Sequence, residues 1–284
     1  MVRHAVAVAK TRMFISDVLA SISLPYGGGG LAMRTATQSP ADGVSRFAGT
    51  LIDLLDRVEY RRVSVDDEFD PVYHLRYQAY RREEFVPTNP QLITRDEFDE
   101  ADNCYCFGVY IDESLVSSVR FHHVTPTDPT SPGRSVWPDV LDPVLADGHS
   151  YIDPSRFTTD HDASLAFPAL PYLTLRIVAM ACEHFDARYC ISAVRPEHAP
   201  FYKRIFGSHQ LGDERNFAEL QFSMRLYAAE VPIIRNRVAD RYPFFMSTAG
   251  ERERLFSDWA AKIDPIAPTA RLAHRLRLLD PENN

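Results

Sequence analysis

Residues 150–194 read as strand, helix, strand, and that order constrains the rest of the chain more than any other stretch. The run Ser150-Tyr151-Ile152-Asp153-Pro154-Ser155-Arg156-Phe157 has strand character. Residues 169–185 form an amphipathic helix with Leu173, Ile177, Val178, Met180, Ala181 and Cys182 on its apolar side. Residues 187–194 read as a buried strand. Two strands joined through a helix are parallel neighbours in one sheet. Proline cannot donate to a ladder, so the first strand is expected to break open at Pro154. A pocket can open there, with Asp153 and Arg156 flanking the break. The plainer reading of those two residues is an ion pair at a strand end.

The remaining elements fit around this unit. A helical apolar rhythm covers 44–55 and a strand 58–65, and a helix capped by Asp66 or Asp67 runs to about residue 84. Strands at 104–111 and 115–124 form a hairpin across Asp112-Glu113. A proline-rich excursion and a short helix follow. Beyond residue 194 come a helix over 197–206 stopped by Gly207, a long or interrupted strand over 219–231, and helices over 247–262 and 269–279. The expected fold class is α/β (α+β mixed), a mostly antiparallel mixed sheet flanked by helices. Residues 1–43 read as an extension and linker, with a short helix at 13–23 and the Gly27-Gly28-Gly29-Gly30 run. That run lacks the Lys-Ser/Thr of a phosphate loop. Residues 44–246 read as the folded domain, and 247–284 as a helical appendage.

Composition excludes several classes. The net charge of −8 argues against nucleic acid as a partner. No stretch is long and apolar enough for a membrane span. The basic residues among the first twenty are not followed by the apolar core of a signal peptide. Cys104, Cys106, Cys182 and Cys190 have neither metal-site nor disulfide spacing and read as reduced thiols of a cytoplasmic protein.

Four polar clusters carry possible chemistry. Arg76 and Tyr80 share a helix face. Asp96-Glu97-Phe98-Asp99-Glu100 is a solvated acidic loop or a wall that binds an ammonium group or locks Arg76. Arg120 lies within a strand; turned inward, it needs Asp96 or Asp99 as partner. Arg195-Pro196-Glu197-His198 leads into a helix carrying Tyr202 and ending Phe206-Gly207, where Tyr202 is otherwise a core aromatic.

The last cluster resembles the final helix motif of the GNAT acyltransferases. The ordered set Arg76-x3-Tyr80, Asp96-x-x-Asp99, Arg120 and Asp153-x-x-Arg156 resembles the acyl-homoserine-lactone (autoinducer) synthases and the related N-acyl amino acid synthases. The Asp-Glu-Phe-Asp-Glu block is more similar to the latter, and the resemblance covers residues 60–227. It implies a GNAT-like fold and an N-acyltransferase. A long-chain acyl group would pass from an acyl carrier protein thioester to the amine of an amino acid or similar small amine. No cofactor or metal is bound permanently; the donor substrate is acyl-phosphopantetheine or acyl-CoA. Asp153, Tyr202 and Arg156 become catalytic candidates. Arg76, Tyr80, Asp96, Asp99, Arg120 and Phe157 become substrate-binding candidates. Leu173 and Ile177 would flank the acyl tail, and Lys203, Arg204, Arg188 and Arg176 would meet the acidic carrier protein.

Three departures bear on this reading. The tryptophan of the lactone synthases between the Arg/aromatic helix and the acidic block is missing. Aspartate stands at Asp153 where glutamate is usual. The segment 156–168 has no glycine, so its backbone cannot closely approach a pyrophosphate. That favours a carrier-bound pantetheine donor. The alternatives are a lactone-type synthase using S-adenosylmethionine, an acetyl-CoA N-acetyltransferase, and a non-catalytic acyl-carrier-binding protein.

Overall fold

The computed structural model of the chain describes residues 45–216, 223–257 and 265–279. The expected extension at 1–43, with its helix and glycine run, lies outside the described residues. In chain order the elements are α1 (Arg46–Leu55), β1 (Val58–Arg62), α2 (Pro71–Arg82), β2 (Cys104–Ile111), β3 (Ser114–Val124), α3 (Pro132–Val136) and α4 (Pro138–Ala146). Then come β4 (Tyr151–Thr159), α5 (His161–Ala166), α6 (Leu170–His184), β5 (Tyr189–Val194), α7 (Ala199–Phe206), β6 (His209–Asn216) and β7 (Ser223–Glu230). The chain continues through α8 (Val231–Arg241), α9 (Ala249–Phe256) and α10 (Ala270–Leu279). Short 3-10 turns fall at Glu97–Glu100, Pro196–His198 and Pro243–Phe245.

The strands form one seven-stranded sheet in the order β1-β2-β3-β4-β5-β7-β6. The β4–β5 pair is parallel and every other pair antiparallel. The mixed, mostly antiparallel architecture expected from the sequence is therefore present. Alternation along β2 and β3 separates the two faces. Phe107, Val119 and Phe121 share the main apolar cluster with Leu173, Ile177 and Met180 of α6. Cys106 packs instead with Val72 and Tyr73 of α2. Helices α2 and α6 thus cover opposite faces.

Strand β4 does not break at Pro154. It runs on to Thr159, with Pro154 opposite Phe121 of β3. The Ser150 carbonyl accepts the Arg188 N–H at 3.0 Å on the β5 side. Every second residue points the same way, so the Pro154 nitrogen also faces β5. No donor is needed there, because β4 and β5 pair only at Tyr151–Tyr189 and Ile152–Cys190. The opening lies between the two strands and not within one.

Helix α2 is capped by Asp70 rather than Asp66 or Asp67. The Asp70 carboxylate accepts the Val72 N–H at 2.8 Å, and Pro71 begins the helix. Helix α7 ends on Gly207, whose φ of 62° is left-handed. The elements missed by periodicity are α3, α5, α8 and β6. Strand β6 is largely exposed and reads His-Gln-Leu-Gly-Asp-Glu-Arg-Asn, with almost no apolar alternation to mark it.

Residues of the last two helices share the main cluster: Leu255, Phe256 and Ala270 pack with the sheet side chains. A buried ion pair ties them down. Arg176 of α6 donates to Glu251 at 2.6 and 2.9 Å, and to the Phe244 and Met246 carbonyls at 2.8 and 2.7 Å. Glu251 also accepts the Thr269 N–H and hydroxyl at 2.9 and 2.6 Å. Both charged side chains are fully buried. Arg176 therefore cannot belong to a surface patch, contrary to the sequence expectation. Arg188 is engaged too, by Glu230. Removing one partner of a buried pair strands the other charge. Glu251→Gln should therefore lower unfolding free energy by about 3–5 kcal/mol, read as a shift of the urea midpoint. An unchanged midpoint would show that the clamp contributes nothing.

Candidate active site

A cavity of about 720 Å³ passes through the gap between β4 and β5. Tyr80, Arg120, Asp153, Arg156 and Phe157 line it, together with Leu175, Val178 and Cys182 of α6 and Tyr202 of α7. Its walls thus come from both faces of the sheet. Six of the nine residues singled out from the sequence meet there. Arg76, Asp96 and Asp99 stand behind them as an ion network.

That network begins at the acidic block. Asp96 accepts the Phe98 N–H at 3.0 Å, and Asp99 accepts the Asp96 N–H at 3.1 Å. Each carboxylate thereby fixes the turn that carries the other, a capping box. Arg76 donates to Asp99 at 2.8 Å and to the Cys106 sulfur at 3.0 Å. Arg120 points inward and bridges Asp96 and Asp99, with its Nε on the Ser155 hydroxyl at 3.0 Å. Arg156 donates its Nε to Asp96 at 2.9 Å and lies over the Tyr80 ring, 5.5 Å from its centre. Burial alone would raise both carboxyls. The guanidinium groups outweigh it, Arg120 and Arg156 at Asp96 and Arg76 and Arg120 at Asp99, and hold both below the usual carboxylate range.

The β3–β4 register shifts between Arg120–Ser155 and Ser118–Thr158, which leaves Arg156 and Phe157 in a bulge. Arg156 has φ of 51°, an uncommon conformation for a side-chain-bearing residue. The bulge turns its guanidinium to the Asp96 side.

Asp153 is the carboxylate at the gap. Its Oδ2 accepts the Gly133 N–H at 2.7 Å, and Ser131 adds a side-chain hydrogen bond. Burial raises its pKa to about 6 against these two bonds and the attraction of Arg120. A Cβ at residue 133 would lie 2.8 Å from Asp153 Oδ2 and 2.9 Å from the Ile191 side chain. Glycine at 133 is what lets α3 approach the carboxylate. Across the gap, burial pushes the Tyr202 phenol well above its ordinary value, and Cys190 adds to the rise. Tyr202 therefore keeps its proton at neutral pH. Burial, helped by Arg195, lowers His198 on the cavity wall to about 4, so it is neutral. Cys182 hydrogen-bonds Cys190, which with burial raises its thiol pKa; all four cysteines are free.

Sequence reasoning missed Ser131 and Gly133, because nothing in the proline-rich excursion signals that it folds back on Asp153. It also missed the wall built by α8 and the turn after it, where Val231, Ile234, Val238 and Phe245 reach the cavity.

The geometry agrees with the comparisons to known proteins. The family model "N-acyl amino acid synthase FeeM" matches residues 71–230, over half of the chain. The chain belongs to that family. It is an N-acyltransferase of the GNAT-like fold. The solved structure of FeeM, an N-acyl amino acid synthase from uncultured soil microbes, aligns with a TM-score of 0.52 and 19% identity, over 63% of this chain and 94% of that one. BjaI, a CoA-dependent acyl-homoserine lactone synthase, aligns with a TM-score of 0.47 and 14% identity, over 64% of this chain and 90% of that one. For the AHL synthase LasI the values are 0.45 and 17%, over 60% and 88%. No curated protein sequence matches the chain.

The raised pKa of Asp153 makes a prediction about stability. Its folded value is about 6 against 3.8 for an ordinary aspartate. A pKa raised on folding contributes stability at low pH, which is lost as pH rises through the folded value. Ionised Asp153 thus costs native stability at neutral pH, on the order of 3 kcal/mol. Asp153→Asn removes that cost and keeps an acceptor for Gly133. Its melting temperature relative to wild type should rise as pH increases from 4 to neutral, by titration of thermal unfolding in both proteins. A variant that melts lower than wild type at neutral pH would contradict this.

Proposed function

We propose that the protein transfers an acyl group from the pantetheine thioester of acyl carrier protein to the amine of an amino acid or a similar small amine. The observation that carries the reading is the two-residue β4–β5 pairing. It leaves a slot through the sheet with Asp153 and Tyr202 on the wall of the same cavity. β4 and β5 form no ladder beyond Ile152, which leaves room along that edge of β4 for a pantetheine arm and the tetrahedral intermediate.

The amine arrives protonated at neutral pH and needs a base before it can attack. Asp153, with its pKa near 6, is ionised at neutral pH and more basic than an ordinary carboxylate. It takes the proton, directly or through one water, and the amine nitrogen attacks the thioester carbonyl. Collapse of the intermediate breaks the C–S bond, and the nitrogen loses its second proton to solvent. Tyr202 gives its phenolic proton to the leaving thiolate and is reprotonated from solvent. No enzyme nucleophile is required. Arg120 and Arg156 present guanidinium groups at the Tyr80 end of the cavity, where a planar fork suits the carboxylate of an amino acid acceptor. Asp96, Asp99 and Arg76 hold those two arginines in place.

Two observations favour a carrier-bound donor over CoA. The glycine-free segment after Arg156 folds into α5, capped by Asp160 with Asp162 in its first turn. Two acids there disfavour a pyrophosphate. Lys203, Arg204, Arg235 and Arg237 are exposed on α7 and α8 beside the cavity, a basic surface suited to an acidic carrier protein.

The test is product mass. Incubation with acyl carrier protein and CoA donors, against the amino acids or S-adenosylmethionine, should give N-acyl amino acid from the carrier donor. A lactone, or no acylated amine with any donor, overturns the reading. Asp153→Asn and Tyr202→Phe should each lower kcat by about 10²–10⁴-fold, with donor binding retained. Wild-type turnover in either removes that residue from the mechanism. Charge reversal at Lys203 and Arg204 should weaken carrier binding and flatten its salt dependence; an unchanged salt slope places the dock elsewhere.

A further inference from the structure

Residues beyond 230 lie outside the family match, yet they build one side of the cavity. Val231, Ile234 and Val238 recur at helical spacing on one face of α8, and all three line it. Phe245 follows from the 3-10 turn, packed on Phe206 with ring centres 5.4 Å apart. Facing them across the cavity are Leu175, Val178, Ala179 and Cys182 of α6. This stretch is apolar, while the Tyr80 end carries Arg120, Asp153 and Arg156. The lining also includes the charged residues Glu183, Asp186, Arg235 and Arg277.

The wall is held rigidly. Arg176 donates to the carbonyls of Phe244 and Met246, one on each side of Phe245. Glu251 neutralises the guanidinium, and Thr269 ties Glu251 to the start of α10. Within α8, Arg237 packs on Gly207, so the helix is seated against the end of α7, which carries Tyr202. A buried charge that fixes a backbone turn is costly unless its geometry is well satisfied. Two bonds of Arg176 go to the turn that presents Phe245, and two go to Glu251.

We propose that this segment sets the length of the acyl chain the enzyme accepts. Ile234, Val238 and Phe245 are specificity-determining, and Arg176 is a positioning residue acting through Phe245. The inference rests on the acyl-transfer reading above. Its physical basis is that each methylene gains free energy only while it contacts apolar wall. A methylene that reaches a charged side chain of the lining gains nothing further.

The experiment compares kcat/KM for saturated acyl donors of increasing length, in the full chain. Val238→Phe, which shortens the apolar stretch, should lower the ratio of long-chain to short-chain kcat/KM by about fourfold per methylene displaced. Phe245→Ala should move the optimum to longer chains. Ile234→Phe, at a half-buried position, repeats the first test should Val238→Phe fail to fold. Arg176→Lys loses the fork on the two carbonyls and should broaden the length profile without moving the pH profile. Displacement of a bound fluorescent fatty acid by fatty acids of graded length gives the same ranking without turnover. Parallel loss at every length, or an unchanged profile, overturns the proposal. In that case wild-type turnover survives, whereas absence of turnover with every donor in the wild type defeats the acyl-transfer reading itself.

Discussion

A parallel strand pair that stops pairing after two residues is the constraint on which the rest of this molecule depends. Had β4 and β5 paired along their whole length, the sheet would have closed and separated α2 from α6. The gap instead joins the two sides through one cavity. Beyond Ile152 the β5-facing edge of β4 has no β5 residue opposite it in the ladder. Pro154 suits the position, because it has no N–H to place in a ladder.

Two buried ion clusters fix the ends of the cavity. Arg76, Asp96, Asp99, Arg120 and Arg156 organise the polar end, and Arg176 with Glu251 anchors the apolar wall. Buried pairs of this kind add little net stability because desolvation offsets the attraction. Their effect is geometric. The bulge at Arg156 and the turn at Phe245 are irregular stretches that a hydrophobic contact alone would leave loose. A multiply bonded guanidinium fixes each one in a single arrangement. The depressed carboxyls of Asp96 and Asp99 keep the polar cluster ionised across the physiological range, so it remains fixed while Asp153 titrates near neutrality.

Much of this was legible along the chain. The apolar stripe of α6 and the hairpin of β2 and β3 follow from periodicity. The strand–helix–strand unit follows from their order, and the ordered Arg, Asp, Arg and Asp-x-x-Arg set pointed to the family. Legibility failed where partners are distant in sequence. Arg176 looked like one more basic residue on a helix, and its role depends on Glu251, seventy-five positions away. The proline-rich excursion around Ser131 and Gly133 carried no sign of its partner, yet it supplies hydrogen bonds to Asp153. Strand β6 was missed because it is an exposed edge held by its backbone ladder to β7.

By itself, then, the sequence determined the strongly periodic elements, the mixed sheet and the acyltransferase family, because periodicity and short motifs are local properties. It also determined that Pro154 must fall where no ladder donor is required. Only the tertiary structure decided that Asp153 and Tyr202 line one cavity, that Arg120 turns inward, and that the residues after 230 wall that cavity. Those outcomes depend on which surfaces meet when the sheet and helices pack. Burial then decides whether a given carboxylate, phenol or guanidinium is an ordinary surface group or a tuned one.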